Sequence, residues 1–203
     1  MLDTAPPITL AEPLSQRLAR RFIHLIGWQV EGELPYQLDK FILVVAPHTT
    51  NWDFVVGLPC GFAIGLMAQW PYGVMTKASA FRGPLGPVMR ALGCIPIDRS
   101  ASHNLVEQMA RIIEQRERLM LVITPEGTRQ YRPYWKSGFY HIARQANVPV
   151  VLGTLDSARR VGRIGEPFYL TGDVEADLEV MRAFFAGARP KYPQNAGDIR
   201  FKD

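Results

Sequence analysis

Residues 41–53 read FILVVAPHTTNWD, and this stretch decides the fold. The apolar run from Phe41 to Ala46 fits a short strand that is buried on both faces, as strands of parallel sheets are. Pro47 resists helix formation, so the strand is expected to end there in a turn. Asp53 is then expected to begin a helix that reaches about Ala68.

The alternation of strand and helix continues along the rest of the chain. Further strands are predicted at residues 72–77, 94–98, 119–124 and 148–155, with one or two more in 159–170, where Gly162 and Gly165 are placed at turns. Further helices are predicted at 14–28, 84–92, 102–118, 136–147 and 173–187. This order predicts an α/β fold, with a mostly parallel or mixed central sheet covered by helices. We expect a single domain with a flexible N-terminus at 1–13, a core at 40–187 and a poorly ordered tail at 188–203.

The composition restricts the class of protein without fixing its partner. The chain carries 23 Lys and Arg against 19 Asp and Glu, for a net charge of +4. This mild excess suits an anionic partner such as a phosphorylated substrate or an anionic membrane. No nucleic-acid partner is expected, since the basic residues are dispersed and no recognised binding motif occurs. Cys60 and Cys94 lack metal-ligand spacing, which predicts inert thiols, no metal site and a reduced, cytoplasmic protein.

Two apolar stretches bear on membrane contact. Residues 54–76 carry no charge over a length that could span a bilayer, but glycines and prolines interrupt them. A buried or membrane-grazing helix, a turn and a strand are therefore expected there. Residues 1–13 lack the basic-then-apolar pattern of a secretory signal.

An amphipathic pattern occupies residues 14–28. The apolar positions at helical spacing are Leu14, Leu18, Phe22, Leu25 and Ile26, and the basic positions on the other side are Arg17, Arg20 and Arg21. This helix either packs its apolar side on the core or lies on an anionic membrane surface, and the pattern alone favours neither.

His48 and Asp53 lie five positions apart in the opening stretch. On one helix their side chains would point about 140° apart, so they cannot meet if both are helical. They can meet if His48 lies in the turn after the strand and Asp53 in the first helical turn, which the polar residues 49–51 favour. Asp53 would then hold one ring nitrogen and leave the other to accept a proton from a hydroxyl. A loop histidine beside a capping aspartate is the alternative.

A second motif, TPEGTR at residues 124–129, follows the strand predicted at 119–124. It places a carboxylate, a glycine amide and an arginine at a strand end, where sites in α/β sheets lie. The Gly127 amide could face a developing oxyanion, and Arg129 could bind phosphate oxygens. A tight turn with a solvated arginine is the alternative.

Three further cations lie at or beside other predicted strand ends: Lys77, Arg82 and Arg99. Each is best explained singly as a surface charge, but together with Arg129 they would form a site for phosphate or an anionic headgroup. The chain has no Gly-x-Ser-x-Gly elbow and no glycine-rich phosphate loop, and neither cysteine has a neighbouring histidine. Direct transfer without a covalent enzyme intermediate is therefore the simplest mechanism.

In combination, these motifs resemble the glycerolipid and lysophospholipid acyltransferase family, whose bacterial archetype is 1-acylglycerol-3-phosphate acyltransferase. Four blocks occur in the family's order: His48 to Asp53, Lys77 through Arg99, Pro125 to Arg129, and Val148 to Val151. The run WKSG at 135–138 also resembles the lysine-glycine element that follows the third block. The resemblance covers roughly residues 40–155, and four ordered blocks are more specific than any one of them.

The resemblance implies a role for each matching residue. His48 would be the general base on the acceptor hydroxyl, with Asp53 as its orienting partner. Gly127 would help to bind the acceptor, and Glu126 would fix the loop of that motif. The remaining substrate-binding residues that it implies are Lys77, Arg82, Arg99, Thr128 and Arg129.

The resemblance also implies the substrates and the location. The donor would be acyl-CoA or acyl-carrier protein as co-substrate, with no other cofactor, and the apolar helix after Asp53 could wall the groove for the acyl chain. The acceptor would be a hydroxyl of a lysophospholipid such as 1-acylglycerol-3-phosphate, and the enzyme would be peripheral on the inner face of the cell membrane. Residues 78–81 (ASAF) and 130–132 (QYR) depart from the family's usual continuations, which leaves the acceptor open. A non-catalytic binder of anionic lipid and a thioester hydrolase are the alternatives on the same fold.

Overall fold

A computed structural model describes residues 13–77, 81, 85–91, 93–97 and 102–202. The strands in these ranges are β1 Gln29–Glu31, β2 Lys40–Val45, β3 Tyr72–Lys77, β4 Cys94–Ile97, β5 Leu119–Ile123, β6 Val150–Asp156 and β7 Val161–Ile164. The helices are α1 Leu14–Leu25, α2 Trp52–Ala63, α3 Leu66–Gln69, α4 Leu85–Ala91, α5 Ser102–Glu114, α6 Gly138–Gln145 and α7 Val174–Phe185. The architecture is α/β, as the sequence predicted.

One mixed sheet joins the strands in the order β1-β7-β6-β2-β5-β3-β4. Every neighbouring pair is parallel except β6 and β7, which are antiparallel. The opening stretch supplies β2 at the centre, where Leu43 pairs with Val122 of β5 and Val151 of β6. Because β2 and β5 are parallel neighbours, the chain leaves both strands at the same edge of the sheet.

The core lies on both faces of this sheet because successive side chains of β2 point to opposite sides. On one side, Ile42 and Val44 join a buried cluster with α5, α6 and α7. On the other side, Phe41 and Leu43 pack with Trp70. The uninterrupted apolar run at the start of the sequence is therefore explained by burial on both faces.

Some predicted boundaries were wrong because glycines reverse the backbone. The helix predicted from Asp53 to about Ala68 is interrupted by Gly65, whose φ of 87° is left-handed. The helix predicted at 14–28 ends at Leu25, and Gly27, with φ 73°, leads into β1, a strand that the sequence did not reveal. Gly162 was placed at a turn but pairs within β7, opposite Val30 and Leu155.

The tail predicted to be poorly ordered is instead packed through residue 202. The N–H of Trp135 donates to the carbonyl of Arg200 at 2.8 Å. The ring centroid of Phe201 lies 5.5 Å from that of Tyr140 and 6.0 Å from that of Phe139. The N-terminal stretch predicted to be flexible lies outside the described residues apart from Pro13.

Helix α1 packs on α2 through a face other than its apolar stripe. Ile23 is buried in a cluster with Val56 and Ala63 of α2. The apolar stripe faces outward, with exposed fractions of 66% for Leu14, 55% for Leu18, 42% for Phe22 and 84% for Leu25. The helix therefore does not pack this stripe on the core.

The uncharged stretch 54–76 forms most of α2, then α3 and β3. The turn and the strand match the prediction, whereas the single predicted helix is divided into α2 and α3. Within the ranges that the structure describes, no helix combines the length and the apolar character needed to cross a membrane.

Candidate active site

The two motifs lie side by side at the carboxyl edge of the sheet. Val44 of β2 pairs with Ile123 of β5, so residues 46–51 and 124–129 leave the sheet as adjacent loops. A crevice at the carboxyl ends of parallel strands is the usual place for a site in an α/β sheet. The order of the strands, which the sequence did not predict, is what brings the motifs together.

His48 and Asp53 meet in the geometry that the sequence predicted. His48 lies in the turn after β2, and Asp53 is the second residue of α2. The Nδ1 atom of His48 lies 3.2 Å from Oδ2 of Asp53, with 21% and 10% of the side chains exposed. Since Nδ1 faces the carboxylate, Nε2 is the ring nitrogen on the far side, where it can accept a proton.

The Asp53 carboxylate also holds the loop that carries the histidine. Its Oδ2 accepts hydrogen bonds from the N–H of Thr49 at 2.7 Å and of Thr50 at 2.9 Å. A carboxylate in the first turn of a helix is favoured by the unpaired N–H groups there. Asp53 therefore fixes both the imidazole and the backbone beside it. The side chain of Asn51, the residue just before the helix, makes no capping hydrogen bond.

Glu126 ties the second loop to the first. It is buried, with 2% of the residue exposed, and its Oε2 accepts the N–H of His48 at 2.8 Å. Burial raises the pKa of this carboxyl above its ordinary value, and hydrogen bonds from the N–H groups of His48 and Gly197 oppose that rise. Glu126 was predicted to fix its own loop, but this contact holds the loop of the histidine.

Gly127 occupies a position that favours glycine. Its φ of 65° lies in the left-handed region, and a Cβ there would lie 2.8 Å from Nζ of Lys136. Its N–H donates to the carbonyl of Thr124 at 3.1 Å. The suggestion that this amide faces an oxyanion was therefore wrong for the present geometry, because the tight turn uses the N–H. A role for Gly127 in binding the acceptor stays a prediction.

Arg129 joins the two loops from the solvent side. Its Nη1 donates to Oδ1 of Asn51, and the side chain is otherwise exposed at the rim of the site. Thr128 is half-buried, and its Oγ1 accepts the N–H of Gln130 at 3.4 Å, so its hydroxyl supports the turn. Arg129 is placed where an anion could reach it.

Lys136 is a cation at the site to which the sequence assigned no role. Its backbone N–H donates to the carbonyl of Pro125 at 2.9 Å, and its side chain crosses Gly127. The only sequence feature that pointed to Lys136 was the resemblance of the WKSG run to the element that follows the third block. The sequence offered no physical reason to expect its amine over the turn. The structure therefore adds a second cation beside Arg129.

The other predicted cations are described only in part. Lys77 ends β3, the strand next to β5, so its backbone lies at the same edge of the sheet. Its side chain lies outside the described part of the chain, as do Arg82 and Arg99 entirely. Their contribution to the site stays a prediction.

The arrangement defines a class of protein. An α/β sheet presents a histidine oriented by a carboxylate at its carboxyl edge, with an arginine and a lysine at the rim. Such a site can remove a proton from a substrate and hold an anionic group beside it.

The comparison with protein families names that class. The family model Acyltransferase matches residues 27–152, from just before β1 into β6. The match covers more than half of the chain and includes both loops of the site, so the chain belongs to the acyltransferase family. Its general activity is acyl transfer. No curated protein and no solved structure matches the chain.

Proposed function

We propose that the enzyme transfers a fatty acyl group from a thioester to a hydroxyl of a lysophospholipid such as 1-acylglycerol-3-phosphate. The donor is acyl-CoA or acyl-carrier protein, and the reaction uses no metal or further cofactor. The observation that carries the proposal is the 3.2 Å contact between His48 Nδ1 and Asp53 Oδ2 beside the Arg129 loop. It supports a base and an anion site in the same crevice.

In this reaction His48 acts as the general base. Its Nε2 takes the proton of the acceptor hydroxyl as that oxygen attacks the thioester carbonyl. Asp53 stabilises the imidazolium that forms and keeps Nδ1 turned away from the substrate. The tetrahedral intermediate then breaks its C–S bond, the thiolate leaves with the proton, and an ester remains on the acceptor. The enzyme forms no covalent intermediate.

The cations at the rim would bind the phosphate of the acceptor. Arg129 suits this role because a guanidinium offers several N–H donors, of which one is used by Asn51. Lys136 would add a second charge from across Gly127. Lys77, Arg82, Arg99 and Thr128 are proposed to complete the substrate-binding set.

The enzyme would approach its lipid acceptor through α1 and α2. The exposed stripe of α1 lies on a helix that contains three arginines and no acidic residue, a composition suited to an anionic membrane surface. Helix α2, which begins at the His48 loop, also exposes Phe54 and Val55. We propose a peripheral enzyme on the inner face of the cell membrane, where acyl-CoA and acyl-carrier protein are found.

A labelled-acyl assay tests the reaction. The purified protein would be given a radiolabelled acyl-CoA or acyl-carrier protein with lysophosphatidic acid, its dephosphorylated counterpart, or no acceptor. Labelled ester on the phosphorylated acceptor is the expected product. Labelled free acid without an acceptor would indicate a thioester hydrolase. Binding to anionic vesicles with no turnover of either donor would indicate a non-catalytic lipid binder.

A further inference from the structure

The C-terminal segment, residues 188–202, lies against the site although its sequence predicted little order. It is anchored away from the histidine at both ends. The N–H of Ser157 donates to the carbonyl of Arg189 at 2.8 Å, and that of Trp135 donates to the carbonyl of Arg200 at 2.8 Å. Phe201 also packs its ring among aromatic side chains of α6. Between these anchors the chain is held in a defined path.

The middle of the C-terminal segment contacts the loop of the histidine and the carboxyl that supports it. Asn195 Nδ2 donates to the carbonyl of Thr49 at 3.5 Å. The backbone of Gly197 lies against Glu126, because a Cβ on Gly197 would come within 3.4 Å of the Glu126 Cγ, and its N–H favours the ionised carboxyl. The same carboxyl accepts the N–H of His48 at 2.8 Å. The buried carboxyl of Glu126 is thus shared between the C-terminal segment and the His48 backbone.

The close approach at Gly197 depends on the absence of a side chain. A Cβ at this position would lie 2.9 Å from the carbonyl oxygen of Arg132 and 3.4 Å from Cγ of Glu126. The first of these contacts is shorter than real Cβ atoms show, and its partner is backbone that cannot rotate away. Any larger residue must therefore shift either the C-terminal segment or the backbone at Arg132.

A cavity of about 240 Å³ lies between part of the C-terminal segment and the sheet edge. Its lining includes Pro47 and Glu126 on the site side, and Pro193 and Ala196 on the segment side. Packing is therefore incomplete around the point contacts. Across this gap Asn195 bonds the His48 loop directly, and Gly197 contacts Glu126, the residue that accepts the His48 N–H.

We propose that the C-terminal segment is a positioning element for His48, acting through Gly197, the Glu126 carboxyl and the backbone N–H of His48. This proposal rests on the proposed function, because it takes His48 to be the general base. Neither Asn195 nor Gly197 contacts the reacting atoms in this scheme. They set the position of the loop from which the imidazole reaches the acceptor, and small displacements of a base are costly to the rate.

The test compares Gly197→Ala with Gly187→Ala. Gly187 lies just before the C-terminal segment, and a Cβ there would meet nothing within 4 Å, so the control adds the same methyl group without a clash. Two quantities are measured on each full-length protein: hydrogen exchange of the His48 amide, and kcat and KM for acyl transfer. The exchange measurement does not require that the substrate be known.

We expect Gly197→Ala to speed exchange of the His48 amide and to lower kcat about tenfold, with KM within about twofold of the wild-type value. Gly187→Ala should change neither quantity. Unchanged exchange at His48 in Gly197→Ala would overturn the proposal, whatever the activity. If faster exchange were found in a protein without acyl transfer, the positioning contact would stand and the proposed reaction would fail.

Asn195→Ala provides a second variant if Gly197→Ala does not fold. It removes a single hydrogen bond and introduces no clash. Exchange at residues 48–50 should then rise by a smaller factor than in Gly197→Ala, with a thermal midpoint near that of the wild type. Wild-type exchange at these amides would contradict a positioning role.

Discussion

The carboxyl edge of the sheet and the surface of α1 reverse the usual placement of polar and apolar groups. At the sheet edge, Asp53 and Glu126 are largely withdrawn from solvent and bonded to the loop around His48. On α1, Leu18 and Leu25 are exposed to solvent. At the sheet edge, buried polar groups hold one histidine in place. On α1, apolar groups lie outside the core.

This difference separates two tasks. Buried hydrogen-bonded carboxylates position atoms accurately, because an unsatisfied partner would be costly. An exposed apolar stripe does not hold any group in place within the protein. It can act only by contacting an apolar surface outside the protein. Changes at the sheet edge should therefore reduce the chemistry on any form of the substrate, whereas changes on α1 should affect only membrane-bound substrate.

After removal of His48 itself, Asp53→Asn should have the largest effect of the variants at the sheet edge and α1. The amide lacks the charge that stabilises an imidazolium and can donate where the carboxylate accepted. We expect kcat to fall about 10²- to 10³-fold, measured with detergent-dispersed acceptor. Asp39→Asn, which changes an exposed aspartate at the opposite end of β2 from the site, is the matched control. A loss of less than about threefold would remove Asp53 from the mechanism.

The double variant Leu18→Ser with Leu25→Ser should have the next largest effect. We expect it to reduce membrane binding alone. Partition into vesicles that contain anionic lipid should fall about tenfold or more, since two exposed apolar side chains would no longer enter the lipid. The thermal midpoint and the turnover of detergent-dispersed acceptor should stay unchanged. Val180→Ser removes a similarly exposed apolar residue from α7 and serves as control. Equal partition of both variants would exclude α1 as the membrane surface.

The stability of Glu126→Gln should depend on pH differently from that of the wild type. Burial raises the pKa of the Glu126 carboxyl, so this group stabilises the fold below its unfolded pKa and loses that contribution as the pH rises through its folded pKa. The glutamine does not ionise. Its thermal midpoint should therefore rise relative to wild type over the pH range above about 4, the ordinary pKa of a glutamate. A constant difference across this range would show that ionisation of Glu126 is not coupled to folding.

The same variant should reduce activity moderately. The glutamine offers one acceptor oxygen where the carboxylate serves the N–H groups of both His48 and Gly197. We expect kcat to fall about tenfold through displacement of the His48 loop, with detergent-dispersed and vesicle-bound acceptor affected alike. An effect confined to vesicles would contradict the separation of the two regions.

Gly127→Ala should have the smallest effect. A non-glycine residue at φ 65° costs about 1 kcal/mol, which corresponds to a fall of about 2–4 °C in the thermal midpoint for a chain of this size. Gly138→Ala, where a Cβ meets nothing within 4 Å, is the control. The new methyl group should also displace Lys136 and raise KM for a phosphorylated acceptor more than for a neutral one. Equal changes in KM for the phosphorylated and the neutral acceptor would show that Lys136 does not bind the phosphate.

The sequence predicted the regular part of the fold for local reasons. The apolar run at 41–46 and the one at 119–124 identify buried strands, and the pattern after each indicates a loop at the carboxyl edge. Strand order is a non-local property, so the adjacency of β2 and β5 was not available from either run. The sequence also did not determine which side of α1 is exposed, because an amphipathic pattern does not show what its apolar side contacts.

The site shows the same division between local and distant information. The contact of His48 with Asp53 followed from a turn and a helix start within six residues. The hydrogen bond from the His48 N–H to Glu126 and the approach of Gly197 to the same carboxyl join distant parts of the chain, and the position of the Lys136 amine over Gly127 depends on the path of the loop between them. The tail was misjudged because its prolines and charges suit an extended surface path as well as disorder.

The most direct test of the account is the rate of acyl transfer by His48→Ala. The variant would be compared with wild type and with His141→Ala, which removes an exposed histidine of α6, on the acceptor that gives the most labelled ester. We predict a fall in kcat of about 10²-fold or more for His48→Ala, an unchanged thermal midpoint, and wild-type kinetics for His141→Ala. Equal transfer by His48→Ala and wild type would contradict a histidine base.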